Sequence, residues 1–210
     1  MEQKEKKWSR FANNFEERNC YVVGKSDIEL IMKKVSTLKN LKNVLELGCG
    51  NGTYSNVLAK NADSLLATDL SDEMVGASKE RLKNYTNIKV DKANCFDLPY
   101  PDKSFDTVFM ANLIHIISNR NKALEECKRV LKKGGCLLII SHTQKGMKLR
   151  HKLGMSYRYL KTYGRLPKGG RNFGLDEANT LLDACGLPVI ESELIGKKTK
   201  ALFIKAILKQ

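Results

Sequence analysis

Residues 44–52 read Val-Leu-Glu-Leu-Gly-Cys-Gly-Asn-Gly, and a second apolar run at 65–68 ends on Asp69. An apolar run entering a glycine-dense bend predicts a strand that turns sharply into a helix. A carboxylate about twenty residues later, at the end of the next strand, is placed to hold a ribose. The pair therefore predicts an α/β chain that binds a nucleoside-containing cofactor.

Two cofactors compete for such a bend. The dinucleotide fingerprint Gly-x-Gly-x-x-Gly matches at Gly48 and Gly50 but meets Thr53 at its third glycine position; the glycines run Gly48, Gly50, Gly52 instead. The strand also carries Glu46 just before the bend. A carboxylate repels a pyrophosphate, whereas it attracts an ammonium and a sulfonium in a partly dry cleft. Charge thus favours S-adenosyl-L-methionine over NAD.

Further motifs follow in order. Residues 93–100 read Ala-Asn-Cys-Phe-Asp-Leu-Pro-Tyr, residues 105–112 Phe-Asp-Thr-Val-Phe-Met-Ala-Asn, and 131–136 Leu-Lys-Lys-Gly-Gly-Cys before an apolar run. Residues 44–141 as a whole resemble the class I S-adenosylmethionine-dependent methyltransferases, in particular the small-molecule branch with the ubiquinone and menaquinone methyltransferases. The resemblance implies a Rossmann-like, doubly wound, seven-stranded sheet whose last strand is antiparallel. It implies that Gly48, Cys49 and Gly50 lie against the methionine part of the cofactor and that Asp69 grips both ribose hydroxyls. Leu70 and Met74 would pack on the adenine. Asn94, in a position usually held by Asp, would accept from the adenine amino group without charge assistance. The Cys95 N–H would reach the ring, and Asn112 would lie beside the cofactor at the end of the fourth strand.

A chain of 210 residues, 42% apolar, makes one α/β domain. The reading divides it into a helical cap at 1–40, a cofactor-binding core at 41–142, a basic insertion at 143–174, and a closing helix and strand pair at 175–210. The N-terminal residues lack a secretory apolar core and no run is long enough to span a membrane, so a cytoplasmic protein is expected. Six cysteines are scattered with no Cys-x-x-Cys pair, which predicts free thiols and no metal site. The net charge is +14, and from 145 to 171 there are nine Lys/Arg with no acidic residue. That segment reads either as a solvated face, as a cover over a small anionic substrate, as a contact with an anionic membrane admitting a lipid-like acceptor, or as an RNA contact.

Periodicity predicts one amphipathic helix over 5–19 carrying Trp8, Phe11 and Phe15, and a second capped by Ser26 or Asp27. Strands follow at 43–47, 64–69, 87–91, 105–110 and 135–141, with helices at 53–60, 72–83 and 119–131. An inserted helix at 145–163 is broken by Pro167-Lys168-Gly169-Gly170. A helix opening at Asp176 stops at Gly186, and two closing strands run 188–195 and 200–209.

Methyl transfer from a sulfonium is an in-line displacement in which positioning supplies much of the rate, and a general base is needed only for a protonated nucleophile. His115, just after the fourth strand, is the first candidate for that base, with a structural histidine as the alternative reading; His142, after the fifth, is the second. In the family the N-terminal helix closes over the cofactor. Phe15 stands where a tyrosine is common, and Tyr21 is the alternative source of its hydroxyl. The expected activity is methyl transfer to a small or lipid-like acceptor. The alternatives are an RNA methyltransferase, although no Asn/Asp-Pro-Pro-Tyr motif follows strand four, and a non-catalytic cofactor-binding module.

Overall fold

A computed structural model describes residues 8–165 and 172–209. Seven strands alternate with helices: α1 (Phe15–Val23), α2 (Lys25–Ser36), β1 (Asn43–Leu47), α3 (Ser55–Leu58), β2 (Ser64–Asp69), α4 (Asp72–Leu82), β3 (Ile88–Lys92), β4 (Phe105–Ala111), α5 (Arg120–Val130), β5 (Leu131–Thr143), α6 (Leu149–Tyr163), α7 (Leu175–Ala184), β6 (Val189–Ile195) and β7 (Lys200–Ile207). They form one sheet in the order β3-β2-β1-β4-β5-β7-β6. The first five strands are parallel, and β7 is inserted antiparallel between β5 and β6. The sheet is the one expected, down to the inserted strand.

Successive side chains of a strand point to opposite faces, and here both faces are apolar because helices cover both. Leu45, Leu47, Val108, Met110, Leu137 and Ile139 point to one face, where Leu124 and Cys127 of α5 and Leu182 of α7 pack on them. Val44, Phe109, Leu138 and Ile140 point to the other, against Ile31 and Val35 of α2 and Leu58 of α3. The capping residues do what their chemistry allows: Ser71 Oγ accepts the Met74 N–H at 3.2 Å to open α4, and Asn119 Oδ1 accepts the Lys122 N–H at 3.1 Å to open α5. Gly186, with φ 73°, ends α7 as expected.

Four expectations change. The helix expected over 5–19 is interrupted: Ala12–Asn14 is a 3-10 turn, and α1 restarts at Phe15. Asn14 has non-helical backbone angles, and its side chain accepts from Arg18 instead of capping α1. Neither Ser26 nor Asp27 caps α2, which starts directly after Gly24. Asp27 is instead buried and accepts from the backbone N–H groups of Lys197, Lys198 and Thr199 and from the Thr199 hydroxyl, clamping α2 to the β6–β7 hairpin. Burial opposes ionisation there, but these hydrogen bonds outweigh it and hold the carboxyl below its usual range. The inserted helix begins at Leu149, four residues later than expected, and β5 begins at Leu131, with a register shift between Phe105 and Thr107. The Pro167–Gly170 break and the expected helix start at 5–7 lie outside the described residues.

β1 lies between β2 and β4, so the chain reverses its direction of winding at the carboxyl end of β1. Crossovers leave that point on opposite faces, opening a crevice between them. Gly48, Asp69 and Asn112 each immediately follow or end one of these three strands.

Candidate functional site

A cavity of about 810 Å³ occupies this crevice. Its floor is the strand ends, and its roof is the N-terminal segment together with α6. Of the residues singled out from sequence, Gly48, Cys49, Gly50, Asp69, Leu70, Met74, Asn94, Cys95, Asn112 and His115 all line it. Glu46 does not; it lies behind the bend.

At one end the polar groups are fixed by the backbone. Gly48, Gly50 and Gly52 have φ of 69°, 56° and 79°, a conformation that glycine adopts without steric cost. Gly52 is also a close-approach position: a Cβ there would sit 2.9 Å from Ser78 Oγ and 3.0 Å from Leu82 Cδ1 of α4. It thus does the packing work that the missing third glycine does in a dinucleotide fingerprint. Asp69 Oδ2 accepts the Gly50 N–H at 2.9 Å, and Oδ1 accepts the Ser71 N–H at 3.0 Å. The carboxylate is thereby fixed on the cavity wall. Asn94 Oδ1 accepts the Phe96 N–H at 3.0 Å in an Asx turn, which fixes the side chain that was expected to meet an adenine.

Asn112 has φ 56°, which asparagine tolerates better than most residues. Its N–H donates to Ile140 O at 2.7 Å, and its Oδ1 accepts the His142 N–H at 3.1 Å. Its side chain also faces the Tyr54 hydroxyl. Beneath the bend, Glu46 Oε2 accepts from Ser55 Oγ at 2.5 Å. Burial pushes the Glu46 carboxyl up to about 7, the Ser55 hydrogen bond resists, and the neighbouring Asp69 charge adds to the rise. A buried carboxyl poised near neutrality is where a bound cation would tip the balance toward ionisation.

The other end is different. His115 Nδ1 hydrogen-bonds Ser141 Oγ at 2.9 Å. Burial, with His142 and Arg120 nearby, pulls its pKa down to about 3, so the ring is neutral. His142 lines the same cavity, and burial pulls it down to about 4. Both of its ring nitrogens are buried with no hydrogen-bond partner in the protein, as are the hydroxyls of Tyr159 and Tyr163. Orphaned buried polar groups of this kind are uncommon in native proteins. Here three cavity-lining side chains share that state.

The roof is an aromatic cluster. Tyr163 stands 5.4 Å from Trp8, 5.2 Å from Phe11 and 6.3 Å from Phe15, centroid to centroid. The roof is tied to the floor by Ser9 Oγ, 2.8 Å from Ser71 Oγ, and by Arg81, which bridges Glu16 and Thr53. Phe15 and Trp8 line the cavity, Phe11 is buried outside it, and Tyr21 is half-exposed outside it. Tyr21 therefore does not supply the hydroxyl missing at Phe15. Sequence reasoning missed Tyr54 and Ser141. Tyr157, on the same helix as Tyr159 and Tyr163, is turned outward by the helical repeat and is exposed.

Residues 45–139 match the family model of a methyltransferase domain. A demethylmenaquinone methyltransferase of Tropheryma whipplei (strain Twist) is 32% identical over 118 residues, 55% of this chain and 49% of that protein. A ubiquinone/menaquinone biosynthesis C-methyltransferase of Hydrogenovibrio crunogenus is 32% identical over 142 residues, 65% of this chain and 54% of that protein. The chain thus spans about half the length of these curated relatives. Among solved structures, a SAM-dependent methyltransferase from Aquifex aeolicus superposes with a TM-score of 0.71 at 25% identity, covering 96% of this chain and 98% of that one.

Proposed function

We propose that this chain, whose residues 45–139 form an S-adenosylmethionine-dependent methyltransferase domain, transfers a methyl group to a small, ring-bearing, lipid-like acceptor of the quinol type. The carrying observation is one cavity with two unlike ends: a backbone-fixed end at Gly50 and Asp69, and an end where His142, Tyr159 and Tyr163 lack partners. The similarity to demethylmenaquinone and ubiquinone/menaquinone methyltransferases supports the choice of acceptor.

The residues fit the cofactor. The glycine bend gives close backbone approach, Asp69 has acceptor capacity for ribose hydroxyls, and Glu46 gives a cationic ligand a counter-charge. Leu70 and Met74 offer an apolar surface to an adenine, Asn94 and Cys95 border it, and Asn112 lies beside the cofactor at the end of β4. When bound, S-adenosylmethionine supplies an electrophilic methyl on a sulfonium.

The protein's share is positioning and desolvation. The aromatic roof excludes water. The Tyr159 and Tyr163 hydroxyls and His142 pair with the oxygens of the acceptor ring and hold it in line. His115, with Nδ1 engaged by Ser141, presents Nε2 as the acceptor of the proton released on methylation. A histidine held this neutral is a weak base, so its part is to hold the proton-bearing group in place and take the proton as the new bond forms.

The test is transfer of labelled methyl from S-adenosylmethionine to a panel of reduced quinones and simple phenols, with wild type, His115→Ala and His142→Ala. Labelled ring product from wild type, falling about 10²-fold or more in His115→Ala, supports the reading. Cofactor binding with no transfer to any ring acceptor refutes it.

A further inference from the structure

Six large apolar side chains stand exposed on the described surface, and four of them belong to one helix. Leu149, Leu153, Tyr157 and Leu160 of α6 are 70%, 64%, 65% and 55% exposed. At roughly 100° per residue these positions fall within an arc of about 80°. Other faces of α6 are spoken for: Met155, opposite the stripe, and Tyr163, on its flank, are buried against Phe11, Val22 and Val23, and Arg158 Nε donates to Val22 O at 3.0 Å. The exposed stripe is therefore no frayed edge but the outer face of a well-anchored helix.

Charge frames the stripe. Arg150 and Lys161 project along one side and Lys152 along the other by the same helical arithmetic, and Lys145 and Lys148 lie just before the helix. None of these five joins an ion pair among the described residues. No Asp or Glu occurs from Gln144 to Leu175. An apolar face flanked on both sides by uncompensated cations matches an interface that is apolar within and anionic at its surface. A second copy of the same face would bring like charges together.

We propose that the outer face of α6 seats on an anionic lipid bilayer, with Leu149, Leu153 and Tyr157 entering the headgroup boundary and the flanking Lys and Arg meeting lipid phosphates. Leu160, at the end of the stripe, also lines the cavity. Resting on the methyl-transfer reading, this makes the stripe the route by which a lipid-like acceptor enters from the bilayer. The docking itself does not depend on that reading.

The test is co-sedimentation of the full chain with vesicles of mixed phosphatidylglycerol and phosphatidylcholine, and with vesicles of phosphatidylcholine alone. Cofactor affinity and solution mass are measured on the same samples. Preference for the anionic vesicles by about tenfold or more is expected. Leu149→Asn/Leu153→Asn/Tyr157→Asn and, separately, Lys148→Glu/Arg150→Glu/Lys161→Glu should each lose it while keeping wild-type affinity for S-adenosylmethionine. No vesicle binding by wild type overturns the proposal. Equal vesicle binding by the apolar triple variant overturns it too, as does a dimer that this variant dissolves. Vesicle binding with this preference by a chain that fails to bind S-adenosylmethionine would refute the methyltransferase reading and uphold the docking.

Discussion

The two ends of the cavity are built on opposite principles. At the glycine bend the polar side chains expected to meet the cofactor are already held: Asp69 by Gly50 and Ser71, Asn94 by Phe96, Asn112 by His142. At the far end His142, Tyr159 and Tyr163 keep buried polar atoms with no protein partner. A ligand entering the first end finds a site that costs little reorganisation. A ligand entering the second relieves a desolvation cost that the fold carries without it. One end is therefore specific by pre-organisation, and the other rewards a ligand with oxygens in the right places.

Substitutions that break the contrast are ranked by expected size. Gly52→Val attacks the first end at its backbone. The side chain must sit at positive φ and displace Ser78 and Leu82. A destabilisation of about 2–6 kcal/mol in chemical unfolding is expected, as the sum of backbone strain and overpacking. Wild-type stability would mean that the bend is loose. Asn112→Ala removes the acceptor of the His142 N–H, and should cost about 1–3 kcal/mol.

Tyr163→Phe at the second end should do the reverse. It removes an unpartnered hydroxyl, so stability should hold or rise by up to about 1 kcal/mol while kcat/KM for the ring acceptor falls. A clear loss of stability would show that the hydroxyl has a structural partner.

Titration sharpens the same contrast. His115 and His142, at about 3 and about 4, are neutral in the fold but protonate near 6.5 when unfolded. Between those values the unfolded state binds more protons. Their contribution is thus complete above pH 6.5 and is lost as pH falls toward 4. Glu46 has the opposite sign. Its carboxyl is raised from 4.5 to about 7, so its contribution is complete below 4.5 and is lost as pH rises through 7. The thermal midpoint should fall on acidification from pH 6.5 to 4.5, and Glu46→Gln should steepen that fall. In the same range a cationic ligand near Glu46 should bind more tightly as pH rises and release a proton. Calorimetry in buffers of different ionisation enthalpy reads this directly.

The first end was legible in the sequence because its signals are local. A strand, three glycines and a strand-end carboxylate lie within about twenty-five residues, and each has one steric or electrostatic explanation. The apolar strands alternating with helices likewise placed the sheet. The second end was less legible because Tyr159 and Tyr163 are set in place by the packing of α6 on the N-terminal segment. A tyrosine-rich helix does not say which tyrosines face inward until its partner is known. The same holds for Asp27, which has the chemistry of a cap but is used by a hairpin some 170 residues away. Non-helical backbone angles at Asn14 interrupt a helix that apolar spacing alone would have continued.

The central claim is that the backbone-fixed end holds S-adenosylmethionine through Asp69, with Glu46 selecting for a cation over a pyrophosphate. It is tested most directly by calorimetric titration of the chain with S-adenosylmethionine and with NAD, repeated on Asp69→Ala. One-to-one binding of S-adenosylmethionine, no detectable binding of NAD, and a loss of about 1–3 kcal/mol in Asp69→Ala are predicted. Binding of NAD instead, or an S-adenosylmethionine affinity that Asp69→Ala leaves unchanged, would contradict it.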